Sequence, residues 1–132
     1  MHRFGGTALE FGQRQALQLW RDVVLTGVRA AEPDLTARQV AVLMAVYLET
    51  GQQTVRGLAC TLNVGKPAIV RALDALEGLA LLRRVRDTRD GRNVLIQGTR
   101  EGLAWIALLG QRISHHADAL LGQSIVPLRD AA

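Results

Sequence analysis

Six arginines fall between Arg83 and Arg100: Arg83, Arg84, Arg86, Arg89, Arg92 and Arg100, opposed only by Asp87 and Asp90. This stretch holds the whole of the chain's net charge of +4, because the ten basic and ten acidic residues elsewhere cancel. A guanidinium is always charged and presents a planar fork of donors that matches phosphate oxygens. Concentrated in one stretch, such groups suit a polyanion. The plainer reading is a solvated arginine-rich hairpin, whose charges face only water.

Other chemistries find little support. Cys60 is the sole cysteine, so it has no intrachain disulfide partner, and its place inside a short apolar helix reads as structural rather than as a redox sensor. His115 and His116 are neighbours, and neighbours on a helix diverge by about 100°, which argues against shared metal ligation. No Cys/His cluster has zinc spacing, and no nucleophile–base pairing, glycine-rich phosphate loop or paired carboxylates emerge. The expectation is a protein that is not an enzyme and that uses no metal or cofactor.

At 132 residues and 48% apolar content the chain fits one domain with a sizeable core. No apolar run approaches the ~18 residues of a membrane helix. Met1 to Gly12 lacks the apolar block of a signal peptide, so a cytoplasmic location without membrane partners is expected.

The elements that must position the arginines follow in order. Met1–Gly6 reads as a loose start. Leu9, Ala16, Leu17, Trp20, Val24, Val28 and Ala31 recur at helical intervals over residues 7–31. Val23 and Leu25 widen that stripe, so this helix either lies deep in a core or meets a second chain. Glu32-Pro33-Asp34 stops it. Thr36 caps a second helix with a stripe of Val40, Leu43, Met44, Tyr47 and Leu48, closed by Gly51 as a left-handed cap.

Thr54 caps a short helix, Val55–Leu62, with Val55, Leu58, Ala59 and Leu62 inward. Asn63-Val64-Gly65 makes a turn. Lys66-Pro67 opens the next helix, proline being suited to a first turn. Its buried stripe is Ile69, Ala72, Leu73, Leu76 and Leu79 or Ala80, and its other face shows Lys66, Ala68, Val70, Arg71 and Asp74.

Leu81–Arg86 and Asn93–Gln97 are short β-compatible runs around Asp87-Thr88-Arg89-Asp90-Gly91-Arg92, whose Asp-Gly signals a hairpin. Thr99 caps the last helix, with Leu103, Ile106, Leu109, Ile113, Ala117, Leu120 and Leu121 on one face. Trp105, Leu108 and Arg112 lie beside them, and Pro127 ends the helix.

The fold class expected is mainly α with a small β-hairpin wing: a winged helix-turn-helix between long flanking helices. Two short helices joined by a tight turn, the second basic on its free face, fit a reader of the DNA major groove. Ala68 permits close approach, and Arg71 can meet a guanine edge or a phosphate. Lys66, with the free amides around Pro67, suits phosphate. Val70 suits a thymine methyl, and the arginine hairpin (Arg86, Arg89, Arg92) suits a narrow minor groove. Glu77 and Asp74 read as solvating this helix or tempering its charge.

Leu35-Thr36, the run VRGLACTLNVGKPAIVRALDALEGLALLRR, the wing DTRDGR and Thr99-x-x-Gly102 together resemble the MarR family of winged helix-turn-helix regulators. The resemblance covers roughly Leu35 to Gly102. It implies a homodimer joined through the first and last helices, acting on pseudo-palindromic double-stranded DNA, usually as a repressor released by a small ligand. The layout it implies is a single domain over 1–132, with dimerisation helices at 7–31 and 99–126 around a DNA-binding part at 35–98.

The resemblance also implies that Asp90 holds Arg92 in the wing, and Asp87 is read as bracing Arg89. It brings Trp20 and Trp105 forward as lining for a small aromatic effector, although aromatics on helical stripes read first as core. Where members of the family often carry hydroxyls, this chain has Gly65, Ala68 and Val70. That departure admits an alternative, a winged-helix module or antirepressor that binds protein.

Overall fold

A computed structural model describes residues 7–121 and Leu128, with side chains from Gly12 onward. The expectations for Met1–Gly6, the Leu9 side chain and the helix end at Pro127 lie outside those residues. Asp34–Leu108 form one compact unit, and the described residues before and after them form another. The architecture is mainly α: five helices and a small three-stranded antiparallel sheet among the described residues.

In the unit Asp34–Leu108, α2 (Ala37–Leu48) begins with a reciprocal cap. Thr36 Oγ1 accepts from the Gln39 amide at 3.1 Å, and Gln39 Oε1 accepts from the Thr36 amide at 2.9 Å. Its buried residues are Val42, Leu43 and Ala45, whereas Leu48 is exposed. The expected stripe was therefore too narrow on one side and wrong at its end. The helix packs against α3, α4 and β3, which brings Val42 inside as well. Nor does Gly51 cap it: α2 stops at Glu49 in an extended conformation, and Gly51, at φ +88°, shapes the bend that follows.

Thr54 caps α3 (Val55–Leu62), its Oγ1 accepting from the Gly57 amide at 2.9 Å. At the far end Asn63 is left-handed, with the Val64 amide on the Ala59 carbonyl and the Asn63 amide on that of Cys60. This is a Schellman ending, with asparagine in the conformation it tolerates well. The helix α4 (Lys66–Gly78) ends the same way, but with Ala80 at φ +61°. The chain reverses there, so Leu79 and Ala80 stay exposed, against expectation, and Leu81 turns into the core instead.

β2 (Leu82–Arg86) and β3 (Val94–Gly98) pair antiparallel, Leu82 opposite Gly98 and Arg86 opposite Val94. A third strand was not expected: β1 (Gln53–Thr54) pairs with the other edge of β3. The core gathers Val42, Leu43, Leu58, Ile69, Leu73, Leu76, Leu82 and Ile96, all nearly or wholly inaccessible, with Trp105 and Ile106 packed against it.

One hydroxyl ties this unit together. Tyr47 donates to the Leu81 carbonyl at 2.7 Å and accepts from the Thr99 amide at 2.9 Å. Thr99 Oγ1 donates to the Ala80 carbonyl and accepts from the Gly102 amide, which caps α5 (Arg100–Leu120). A side chain at Gly102 would collide with the Leu81 carbonyl and the Tyr47 hydroxyl. Glycine is required there by close approach.

In the other unit, α1 (Thr7–Arg29) stops at Ala31, left-handed at φ +55°, in a third Schellman ending just before Pro33. Its apolar stripe is not covered. Val23 is buried, but Leu17, Trp20, Val24 and Val28 are 44–61% exposed. Leu120, at the end of α5, is buried and Leu121 after it is exposed; Leu103, on the part of α5 within the unit Asp34–Leu108, is exposed. Arg112 and Glu32 form an ion pair at 2.8 Å, which raises the arginine's pKa. His116 Nε2 lies 3.1 Å from Thr26 Oγ1.

Candidate nucleic-acid interface

The start of α4 carries no side-chain cap, because Gly65 occupies the N-cap position. Backbone alone closes the turn, the Ala68 and Ile69 amides both reaching the Gly65 carbonyl. Free first-turn amides keep their partial positive charge. Ile69, Ala72, Leu73 and Leu76 anchor the helix in the core. That fixes the opposite face, where Lys66, Pro67, Val70, Arg71 and Asp74 are exposed and Ala68 is partly covered.

The base of the wing is bound to this helix. Arg84 on β2 lies 2.7 Å from Asp74 Oδ1 and 3.2 Å from Glu77 Oε2, and its backbone amide donates to Glu77 Oε1 at 2.9 Å. That backbone hydrogen bond, then the guanidinium, lowers the Glu77 pKa; the Glu77 and Asp74 carboxylates raise that of Arg84. The two acids of α4 therefore hold a specific arginine, a stronger role than tempering charge.

The tip, Asp87–Asn93, is built from its own polar groups. The Asp87 amide donates to the Asn93 carbonyl and the Asn93 amide to that of Asp90. Asp90 Oδ1 accepts from the Arg92 amide at 3.1 Å and from its Nε at 3.3 Å. Asp87 Oδ1 accepts the Arg89 amide at 2.8 Å, so it braces Arg89 through the backbone and leaves the guanidinium uncommitted. Arg92 is 93% exposed, and Arg86 and Arg89 are exposed as well.

A cleft of about 240 Å³ brings Lys66 and Val70 of α4 together with Arg92 and Val94 of the wing, and adds Arg56 and Arg84. Its lining holds no acid and four cations, of which Arg84 is paired with Asp74 and Glu77 beyond the lining. A smaller hollow on the other flank of α4 joins Ala68 and Arg71 to Thr36 and Arg38. Sequence reading passed over Arg38 and Arg56. Their signal was present: each stands two residues after a capping threonine, at a helix start that faces α4.

Trp20 lines a groove of about 540 Å³ along α1 with Leu17 and Val24, while Trp105 packs on the core of the other unit. Among the described residues, no three His, Cys, Asp or Glu are grouped to hold a metal, and no helix is long and apolar enough to cross a membrane.

A helix-turn-helix joined to a wing, with a cationic cleft between them, defines the class of winged-helix DNA-binding transcriptional regulators. Residues 34–93, slightly under half of the chain, match the MarR family model, and that region resembles a MarR-family winged helix-turn-helix. Among solved structures, CouR of Rhodococcus jostii RHA1 bound to p-coumaroyl-CoA is 26% identical, with a TM-score of 0.58 over 86% of this chain and 75% of that one. A mutant MepR of S. aureus bound to an oligodeoxyribonucleotide shares the fold at a TM-score of 0.74 and 18% identity, over 91% and 86%. A mutant MarR from E. coli complexed with operator DNA gives 0.60 and 24%, over 82% and 71%. A search of curated proteins finds no match.

Proposed function

We propose that the protein is a sequence-specific DNA-binding repressor that acts as a homodimer on a pseudo-palindromic operator and is released by a small, aromatic ligand. The observation that carries DNA binding is the acid-free cleft between α4 and the wing, with Arg71 exposed on the helix beside it. Lys66 and the helix start around Pro67 meet phosphate. Ala68, Val70 and Arg71 face base edges, and Arg86, Arg89 and Arg92, the last positioned by Asp90, reach the minor groove.

The uncovered stripe of α1 supports dimerisation, since so long an apolar face seeks a second surface. The same reading makes the helices at 7–31 and 99–126 the dimerisation elements of a single domain. Trp20, in the groove along α1, supports the ligand, and so does the likeness to CouR, which was solved bound to p-coumaroyl-CoA.

The test is enrichment of bound fragments from a genomic DNA pool by the purified protein, followed by titration at several salt concentrations. Steep loss of affinity with salt and enrichment of a two-fold symmetric sequence are expected. Arg71→Ala should cost about 1–3 kcal/mol of binding and relax preference at one position per half-site. A salt-insensitive interaction, or none, would overturn the reading and favour a protein-binding winged helix.

A further inference from the structure

The chemistry that α4 can offer a base pair is set by few side chains. Over its first turns the exposed residues are Lys66, Pro67, Val70, Arg71, Asp74 and Ala75, with Ala68 partly exposed. Asp74 is engaged by Arg84 at 2.7 Å. Pro67, Ala68, Val70 and Ala75 carry no side-chain donor or acceptor, so Lys66 and Arg71 hold all the hydrogen-bond donors of this face. Specificity by polar contacts alone would then rest on two flexible cations.

Val70 is 38% exposed and lines the cationic cleft with Val94, itself 36% exposed. An apolar branched side chain on a surface that faces base edges has one matching partner in the major groove, the C5 methyl of thymine. Every other edge there presents polar atoms, and covering those with valine leaves them unpaired at a cost. Val70 and Arg71 diverge by about 100° around the helix, so they meet different bases.

We infer that Val70 is a specificity-determining residue that reads a thymine methyl, next to the base contacted by Arg71. The inference rests on the proposed use of α4 as the DNA reader and adds the chemistry of the half-site. One position in it is a thymine chosen for its methyl group rather than for a hydrogen bond.

The experiment uses the full chain and a duplex enriched by it from a random-sequence pool, resynthesised with deoxyuridine in place of each thymine in turn. Deoxyuridine lacks only the methyl. At one position per half-site the substitution is expected to weaken binding about fourfold, as loss of one buried methyl group implies. In Val70→Ala the same substitution is expected to have no effect, while the melting temperature stays within a degree or so of the parent because the side chain is partly exposed.

If deoxyuridine is neutral at every position while sequence-selective binding persists, the methyl readout is overturned and the DNA-reading proposal stands. If Val70→Ala keeps the full deoxyuridine penalty, another residue reads the methyl and the assignment to Val70 is overturned. If no sequence is enriched at all, the DNA-reading proposal falls and takes this inference with it.

Discussion

The two ends of the wing hold arginines in opposite ways. At the base, Arg84 is 27% exposed and gripped by two carboxylates of α4, with its backbone amide held as well. At the tip, Arg92 is 93% exposed and pairs with Asp90 at 3.3 Å. One arginine spends its charge inside the protein, joining strand to helix. The other is oriented by a short local contact and keeps its charge in solvent. The difference teaches that a count of arginines overstates the charge left open: the base ties strand to helix, and the tip leaves its cations in solvent.

The comparison breaks first at Arg92. Arg92→Ala is expected to leave the melting temperature unchanged while lowering operator affinity. Counterion release from a single phosphate contact at 0.1 M salt is worth about eightfold, and the two wings of the proposed dimer together give roughly sixtyfold. Fluorescence anisotropy against salt measures both the loss and the shallower slope. Full affinity in this variant would remove the tip from the interface.

Arg84→Ala is expected to do the reverse. It leaves Asp74 without its partner and Glu77 with only the backbone amide of residue 84, two like charges one turn apart, and should lower unfolding free energy by about 1 kcal/mol in urea titration, with the salt slope of binding preserved. An unchanged midpoint would show that the base, too, is only a surface contact.

A milder variant sharpens the role of the base. Ala80 holds the corner between α4 and β2 in the left-handed region, at φ +61°. Ala80→Gly should relieve that conformation and stabilise the protein by about 0.5–1 kcal/mol after the entropy of glycine in the unfolded chain is counted. Thermal denaturation checks it, and destabilisation would show that the alanine side chain is itself a packing group.

The smallest effect is a pH dependence. The Glu77 pKa is lower in the folded protein than in the unfolded chain, so its contribution is present above the ordinary carboxylate range and fades as pH falls through the depressed value. Below about pH 5 the parent should lose stability more steeply than Glu77→Gln. Parallel profiles would mean that Arg84 gains nothing from the charge on Glu77.

Local signals in the chain were legible, and pairings at a distance were not. The bounds of α3 follow from Thr54 and Asn63 because a cap and a left-handed turn act within a few residues. The positions proposed for base and phosphate contact on α4 lie on its free face because Ile69, Ala72, Leu73 and Leu76 claim the other. By contrast, β1 is two residues long and exists only through pairing with β3, more than forty residues away, so no local pattern marks it. Arg84 could not be told from Arg92 by composition, because only packing brings Asp74 and Glu77 to it. The stripe on α1 was visible, but periodicity does not say whether a stripe is covered; that depends on what lies opposite.

The Tyr47 hydroxyl also bears on how the protein assembles itself. Its partners, Leu81 and Thr99, stand 34 and 52 residues further along the chain. Closing such separations costs chain entropy before the hydrogen bonds return anything, whereas α3 and α4 are neighbours in sequence and can dock at once. The helical pair should therefore form early and the sheet be locked late. The Thr99 amide, hydrogen-bonded to that hydroxyl, should exchange its hydrogen with water only when the whole unit Asp34–Leu108 opens.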